Sequence, residues 1–424
     1  MARSIFERQR EIYLSGVSGK KPRIPLVPQE LEEAAARHMS ADAFAYIAGG
    51  AGLERTISDN RSAFDAWQIV PRMLRNVAER DTSLELFGRK LPAPLLLSPV
   101  GVLDMAHPEA DLAVGKAAAR LGLPFIFSSQ ASVAMEDCAE AMGQGPRWFQ
   151  LYWSKSDELV KSFVRRAEAC GCEALVVTLD TTLLGWRPRD LSQAHLPFLY
   201  GRGIAQYVSD PVFQQLLEEP EPADAPSPPR RITPQTLSML FQLMRRYPGG
   251  FFDNLRSGRP LKAVRKFINI YSRPSLSWED LPFLREITEL PILLKGILHP
   301  DDARKALDMG VDGLIVSNHG GRQVDGAISS LQALPEVVEA VQGKVPVLLD
   351  SGVRGGADML KALSLGATAV CIGRPYVYAL SIAGEQGVEE LLRNYLSDFD
   401  LSLGLTGCKN LGELGRECVK RVRR

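Results

Sequence analysis

The sequence predicts an α/β protein built on a (β/α)8 TIM barrel. Short apolar runs recur from residue 91 onward, each followed by a turn and an amphipathic helical stretch. The runs are apolar throughout rather than alternating, as strands buried on both faces are. Eight such units cover roughly 280 residues, near the usual length for this barrel once one long insertion is set aside.

Residues 1–20 alternate charged and apolar positions, with no continuous apolar core, so they do not read as a secretory signal. Residues 28–50 read as one helix. Pro28 suits its first turn, Glu30, Glu32 and Glu33 suit its positive end, and Gly49-Gly50 stop it. Strands are expected at 94–98, 124–128, 147–152, 174–180, 291–295, 313–317, 346–350 and 369–373. Several follow a glycine at a helix end, as in Leu121-Gly122-Leu123-Pro124 and Gly343-Lys344-Val345-Pro346. Ser156 can cap a helix whose Leu159, Val160, Phe163 and Val164 form one apolar stripe. Pro300 can open the helix after the fifth strand, with Ala303, Ala306 and Leu307 inward and Gly310 as its stop. The expected organisation is one domain, with a helical segment at 1–90, the barrel at 91–380 and a second helical segment at 381–424. A doubly wound sheet is the alternative, but no G-x-G-x-x-G follows the first strand.

One connection breaks the rhythm. Roughly 110 residues separate the fourth and fifth strands, far beyond an ordinary βα loop. The insertion, 188–275, holds a Pro-, Glu- and Ala-rich stretch at 217–231 that should be mobile or extended, and a plausible helix at 234–246. It leaves the barrel on the face where barrel active sites lie, so a lid is expected. A surface extension or an oligomer contact is the alternative.

Composition narrows the function. Formal net charge is zero, and the basic end at 420–424 is too short for a nucleic-acid footprint. Six scattered cysteines read as reduced thiols, and no run reaches the ~20 apolar residues of a spanning helix. A cytoplasmic protein is expected. No Cys/His/Asp set has metal spacing, and His38, His107, His195 and His299 are assigned to surface, caps or packing.

The carboxyl ends of barrel strands share one face, and here they are polar. In order they offer Ser98-Pro99-Val100-Gly101, Ser128, Gln150 with Tyr152, Thr178 with Asp180 and Arg187, Lys295, then Ser317 with His319 and Arg322, then Asp350-Ser351-Gly352-Val353-Arg354, and finally Gly373-Arg374. Singly, Lys295, Asp180 or Gln150 could be core polar contacts, and Ser317 to Arg322 could be a plain glycine turn. Together they read as an active site. Strand, glycine turn and helix start in D-S-G-V-R and I-G-R-P form the usual barrel phosphate site, with Arg354 and Arg374 as cations. His319 beside Arg322 suits proton abstraction from an anionic substrate.

These motifs carry a resemblance. S-N-H-G-G-R-Q-V-D-G, with F-Q-L-Y, T-L-D-T, L-K-G, D-S-G-V-R and I-G-R-P in order, resembles the FMN-dependent 2-hydroxy-acid oxidases and dehydrogenases over nearly the whole chain. The stretch L-D-T-T-L-L-G-W-R-P-R-D and the long fourth loop are most similar to the lactate 2-monooxygenases. The resemblance implies an FMN phosphate held by Arg354, Gly373, Arg374 and backbone from Asp350 through Ser351 to Gly352. The ring would lie against Pro99, Val100 and Gly101, with Ser128, Gln150 and Thr178 on its polar edge, Lys295 near the site of reduced-flavin charge and Ser317 as a weaker contact. Arg322 and Arg187 would clamp the substrate carboxylate, with Tyr46 and Tyr152 as further contacts. His319 would be the base and Asp180 its partner. Gln130 stands where several relatives carry an aromatic residue, and Gly101, where some carry alanine, would leave room near the ring.

The expected reaction is oxidation of a small L-2-hydroxy acid, L-lactate first, with O2 giving acetate, carbon dioxide and water. An oxidase or dehydrogenase releasing pyruvate is the alternative. Relatives of this kind imply a homo-oligomer, tetramer or octamer. Readings from other classes are a barrel lyase using Lys295 as a Schiff-base amine, and a flavin-binding protein without catalysis.

Overall fold

The computed structural model describes residues 7–219 and 232–422. Eight parallel strands close a barrel: β1 (Leu95–Leu97), β2 (Phe125–Phe127), β3 (Arg147–Leu151), β4 (Leu175–Thr178), β5 (Ile292–Ile297), β6 (Gly313–Val316), β7 (Val347–Asp350) and β8 (Ala369–Ile372). Each pairs with its sequence neighbours, and β8 pairs with β1 to close the ring. All eight coincide with expected strands because the apolar runs have helices to cover their outer faces.

Side chains alternate across these strands. Leu96, Ile126, Trp148, Val176, Leu293, Ile315, Leu348 and Cys371 fill the barrel interior as one apolar cluster. Their neighbours, such as Leu95, Leu97, Phe125 and Phe127, pack outward in the larger core. A two-stranded hairpin, Leu84–Leu86 with Arg89–Leu91, contributes Leu86 and Leu91 to the interior cluster. The Phe87 ring at its turn lies 5.6 Å from that of Trp148.

The expected single helix at 28–50 is two helices, Pro28–His38 and Ala41–Ala48. Met39 and Ser40 are extended between them, and the Ser40 hydroxyl accepts from Ala43 N at 3.3 Å. Ser40 is an N-cap signal that restarts the helix at a new angle. The last helix, Arg374–Thr406, breaks at Ala383 and Gly384, whose dihedrals are non-helical.

Between β4 and β5 the chain forms short helices, including Pro188–Gln193, Pro211–Leu216, Pro234–Arg246 and Arg259–Ile270. Phe198 and Tyr271 pack on Phe267, at 5.1 and 5.2 Å between ring centroids. Most of the proline-rich stretch expected to be mobile, residues 220–231, lies outside the described residues.

Candidate active site

The interior alternation explains the site. Two residues beyond each inward apolar side chain the next inward position falls at the strand's carboxyl end. Those positions are Ser98, Ser128, Gln150, Thr178, Lys295, Ser317, Asp350 and Gly373. A dry core thus gives way in one step to a polar layer, whose members must find partners because burial leaves them no water.

Lys295, Asp350 and the serines find one another. Lys295 Nζ lies 3.2 Å from Asp350 Oδ2 and donates to Ser317 Oγ at 3.0 Å. Ser317 donates to Asp350 Oδ2 at 2.7 Å, and Ser98 donates to Asp350 Oδ1 at 2.8 Å. Burial would lower the Lys295 pKa, but Asp350 and Asp180 outweigh it and hold it above its usual range. Lys295 is a fixed buried cation. That corrects the Schiff-base reading, since such an amine must be neutral to attack a carbonyl.

His319 sits above this layer in the turn after β6. Its φ is +58°, followed by Gly320 at +64° and Gly321 at +77°. A Cβ on Gly321 would lie 2.8 Å from Ile57 N, so this turn needs glycine on steric grounds as well as conformational ones. Asn318 and Asn60 exchange a reciprocal pair of amide hydrogen bonds, both 2.8 Å, which ties the turn to the helix Arg55–Asp65. His319 Nδ1 meets Asp180 Oδ1 at 2.8 Å. Asp180 follows β4, and β5 makes room for it by a bulge at Gly296, where a Cβ would meet Asp180 Cβ at 3.0 Å.

Burial alone would raise the Asp180 pKa. The charges of His319 and Lys295, with hydrogen bonds from His319 and Thr181, win and hold it at about 2. Burial lowers the His319 pKa below its usual value and outweighs the attraction of Asp180, and Lys295 lowers it further. A neutral imidazole whose Nδ1–H points at a carboxylate leaves the lone pair on Nε2, so the ring can accept a proton there.

Two arginines meet at the same turn. Arg187 donates from Nε to Arg322 O at 3.1 Å and from Nη2 to Gln323 Oε1 at 2.9 Å. Burial first, then repulsion from Arg322, lowers the Arg187 pKa to about 10, still cationic at neutral pH. Arg322 donates through Nη1 to the carbonyls of Tyr46 and Gly49, and its guanidinium carbon lies 5.0 Å over the Tyr46 ring. Tyr46 is brought here from the end of the helix Ala41–Ala48. Burial raises its pKa, and also that of Tyr152, to about 12 for the latter, so both remain neutral phenols.

A cavity opens over these groups. Its lining includes Tyr46, Pro99, Val100, Gly101, Tyr152, Arg187, Lys295, His319 and Arg322, and extends past Asp350, Ser351, Gly352 and Arg354 to Gly373 and Arg374. Ser128, Gln150, Thr178, Asp180 and Ser317 stand behind that surface. Ser128 donates to Gln150 Oε1 at 3.4 Å, whereas Gln150 Nε2 and Thr178 Oγ1 are buried with no hydrogen-bond partner among the described residues.

The chain matches the profile of FMN-dependent dehydrogenases over residues 35–421. The chain belongs to that family. It is 42% identical to an L-lactate oxidase of Lysinibacillus sphaericus, covering 95% of this chain and 94% of that protein. It is 40% identical to an FMN-dependent alpha-hydroxy acid dehydrogenase of Penicillium citrinum, covering 98% and 95%. A mandelate oxidase solved with (S)-4-hydroxymandelic acid superposes with a TM-score of 0.76 at 34% identity, covering 93% of this chain and 98% of that one. As a member of the family the chain uses FMN and oxidises a 2-hydroxy acid.

The cavity fits that cofactor. Gln150 Nε2 and Thr178 Oγ1, both able to donate, are orphaned as a ring's polar edge would require. The left-handed turn at Ser351 and Gly352, with φ of +84° and +91°, and the turn at Gly373 can present backbone to a phosphate. Arg374 donates one bond from each of its nitrogens to the carbonyls of Ile47, Gly320 and Gly49, and it lines the cavity with two of its five N–H groups left over. One expectation about this end needs revision. The Gly356 amide at the helix start after β7 donates to Asp398 Oδ2 at 2.5 Å and is not free for an anion. The room expected at Gly101 is taken as well, because a Cβ there would meet Gln130 Cβ and O at 2.9 Å.

Sequence reasoning missed Thr181, Phe198 and Tyr271, which also line the cavity. Thr181 carried a signal, since it adjoins Asp180. Phe198 and Tyr271 lie far apart in the insertion and carried none.

Proposed function

We propose that the substrate is L-lactate, that O2 is the electron acceptor, and that the end products are acetate, carbon dioxide and water. The observation that carries the substrate class is the His319 imidazole, hydrogen-bonded to the Asp180 carboxylate and set beside Arg187 and Arg322. Arg187 Nη1 and Arg322 Nη2 have no protein acceptor among the described residues, which leaves two cationic donors for one carboxylate. Tyr46 and Tyr152, as neutral phenols, can hydrogen-bond the substrate oxygens. His319 Nε2 takes the proton, and Asp180 stabilises the imidazolium that results. FMN, when bound, accepts the two electrons. Arg354, Arg374 and backbone from Asp350 to Gly352 and at Gly373 hold its phosphate in this reading, Pro99, Val100 and Gly101 lie against its ring, and Lys295 offsets negative charge there.

Retention of the keto acid, which the monooxygenase outcome requires, is supported by Leu184, Phe198 and Tyr271 lining the cavity from the long connection. Release of pyruvate with hydrogen peroxide is the second reading, favoured by the 42% identity to a protein named L-lactate oxidase. One aerobic assay with L-lactate, measuring acetate, pyruvate and peroxide together, separates the two. Equimolar pyruvate and peroxide without acetate overturns the monooxygenase reading. Anaerobic L-lactate that fails to bleach the flavin overturns the substrate.

The reading extends to a cytoplasmic homo-oligomer, tetramer or octamer. It is supported by exposed apolar side chains on the helix Arg8–Val17, where Tyr13, Leu14 and Val17 are 60–87% exposed. Light scattering of the purified holoenzyme tests the assembly. No helix among the described residues is long and apolar enough to cross a membrane.

A further inference from the structure

We propose that Thr181 is a positioning residue for the acid–base pair, fixing the Asp180 carboxylate and, through it, the tautomer and proton affinity of His319. The proposal rests on the reading of His319 as the base.

Three side chains form a closed triangle. Thr181 Oγ1 lies 3.1 Å from Asp180 Oδ1 and 3.2 Å from His319 Nδ1, and Nδ1 lies 2.8 Å from the same Oδ1. The triangle holds two protons, one on the hydroxyl and one on the ring. A carboxylate is acceptor-only, so both donors are satisfied when the hydroxyl points at Oδ1 and the ring carries its proton on Nδ1, facing Oδ1 and the hydroxyl oxygen. That arrangement puts the ring proton on Nδ1 and leaves Nε2 bare. In the other tautomer the Nδ1 lone pair faces a carboxylate lone pair at 2.8 Å, which is repulsive.

Thr181 matters because Asp180 has few other donors. Its Oδ2 is buried and without a hydrogen-bond partner among the described residues, so His319 and Thr181 are its hydrogen-bond donors there. Without the hydroxyl, the carboxylate's charge is shared with the imidazole alone. Imidazolium is then favoured, and His319 holds its proton to higher pH. The other charged and titratable groups around the ring are Lys295 on β5, Arg187 in the β4–β5 connection, Arg322 on the same turn and Tyr152 after β3. None of them changes in the variants below. Thr181 is itself 5% exposed and lines the cavity, so a substitution there is felt at the site and not at the surface.

The test uses the FMN-loaded enzyme and its Thr181→Val, Thr181→Ala and Thr181→Ser variants. The acid limb of kcat/KM for L-2-hydroxy acid oxidation, followed by flavin bleaching, should move up by about one pH unit in Thr181→Val. That is a tenfold change in proton affinity, equal to about 1.4 kcal/mol. Thr181→Ser should restore the native limb. Histidine NMR gives a readout independent of turnover: the chain has 5 histidines, and His319→Asn identifies the His319 signal. Its titration should move in Thr181→Val and Thr181→Ala and return in Thr181→Ser. An unmoved His319 titration in both hydroxyl-free variants, or a serine variant that behaves like valine, overturns the proposal. His319→Asn that still bleaches at the native rate overturns the reading beneath it instead, so the two failures are distinct.

Discussion

His319 Nδ1 and Asp180 Oδ1 lie 2.8 Å apart, although 139 residues separate them in the chain. The contact joins the turn after β6 to the end of β4, and β5 lies between them. It therefore depends on the Gly296 bulge as much as on the two side chains. Removing the base should leave the cofactor site whole, because the groups beneath it are held by Lys295 and Asp350. His319→Ala is expected to retain FMN and to lose about 10²–10⁴-fold in the rate of anaerobic flavin bleaching by L-lactate. Bleaching at the native rate would remove His319 from the role.

The neutral imidazole predicts a pH dependence. A base must be unprotonated to act, and His319 is held below its usual pKa of about 6.5. Activity should therefore stay level down through that value and fall only at lower pH. Stability follows the same sign. In the window just below about 6.5 the unfolded chain binds the His319 proton before the folded one, so stability drops as pH falls. Asp180, held at about 2, adds stability that is present above its unfolded value of about 3.9 and is lost as pH falls toward about 2. Urea unfolding across pH 7 to 5, native against His319→Asn, checks the first window: the variant's dependence should be flatter.

Lys295 predicts a strong stability effect. It is 4% exposed and pairs with Asp350, itself 8% exposed. Lys295→Met strands a buried carboxylate whose remaining donors are two serine hydroxyls, a loss of about 3–5 kcal/mol. Adding Asp350→Asn should recover part of it, because the double variant no longer buries an unpaired charge. Denaturant midpoints of the apoprotein measure both. A double variant as unstable as the sum of the singles would show that the pair does not act as a unit.

The barrel was legible in the sequence for a physical reason. Strands buried on both faces have to be apolar throughout, and the polar residue closing each run marks the end of the dry interior. Lys295, Ser317 and Asp350 are readable in this way, and their spacing in the chain is irrelevant to it. Other features leave no such trace. Arg374 is aimed at the carbonyls of Ile47, Gly49 and Gly320, and a carbonyl is present at every residue, so no residue type announces the contact. The Ser40 cap inside an otherwise helical run is one residue against a dozen with helical pattern. The pairing of His319 with Asp180 was implied by resemblance, and only the fold brings the two together.

The cavity wall from the β4–β5 connection offers the test of product retention. Phe198 and Tyr271 both line the cavity, and both rest on Phe267, which is fully buried and away from it. Phe267→Ala removes that support without touching a group placed in the chemistry. Truncating a buried phenylalanine costs about 3–5 kcal/mol, and the neighbouring rings relax into the space left behind. The variant should fold at reduced temperature, bind FMN and bleach with L-lactate at a near-native rate, since His319, Asp180 and the arginines are unmoved. If the wall holds the keto acid in place, loosening it lets pyruvate leave before oxygen reacts further. The acetate fraction should then fall, with pyruvate and peroxide rising in equal amounts. An unchanged product ratio would show that Phe198 and Tyr271 do not govern retention.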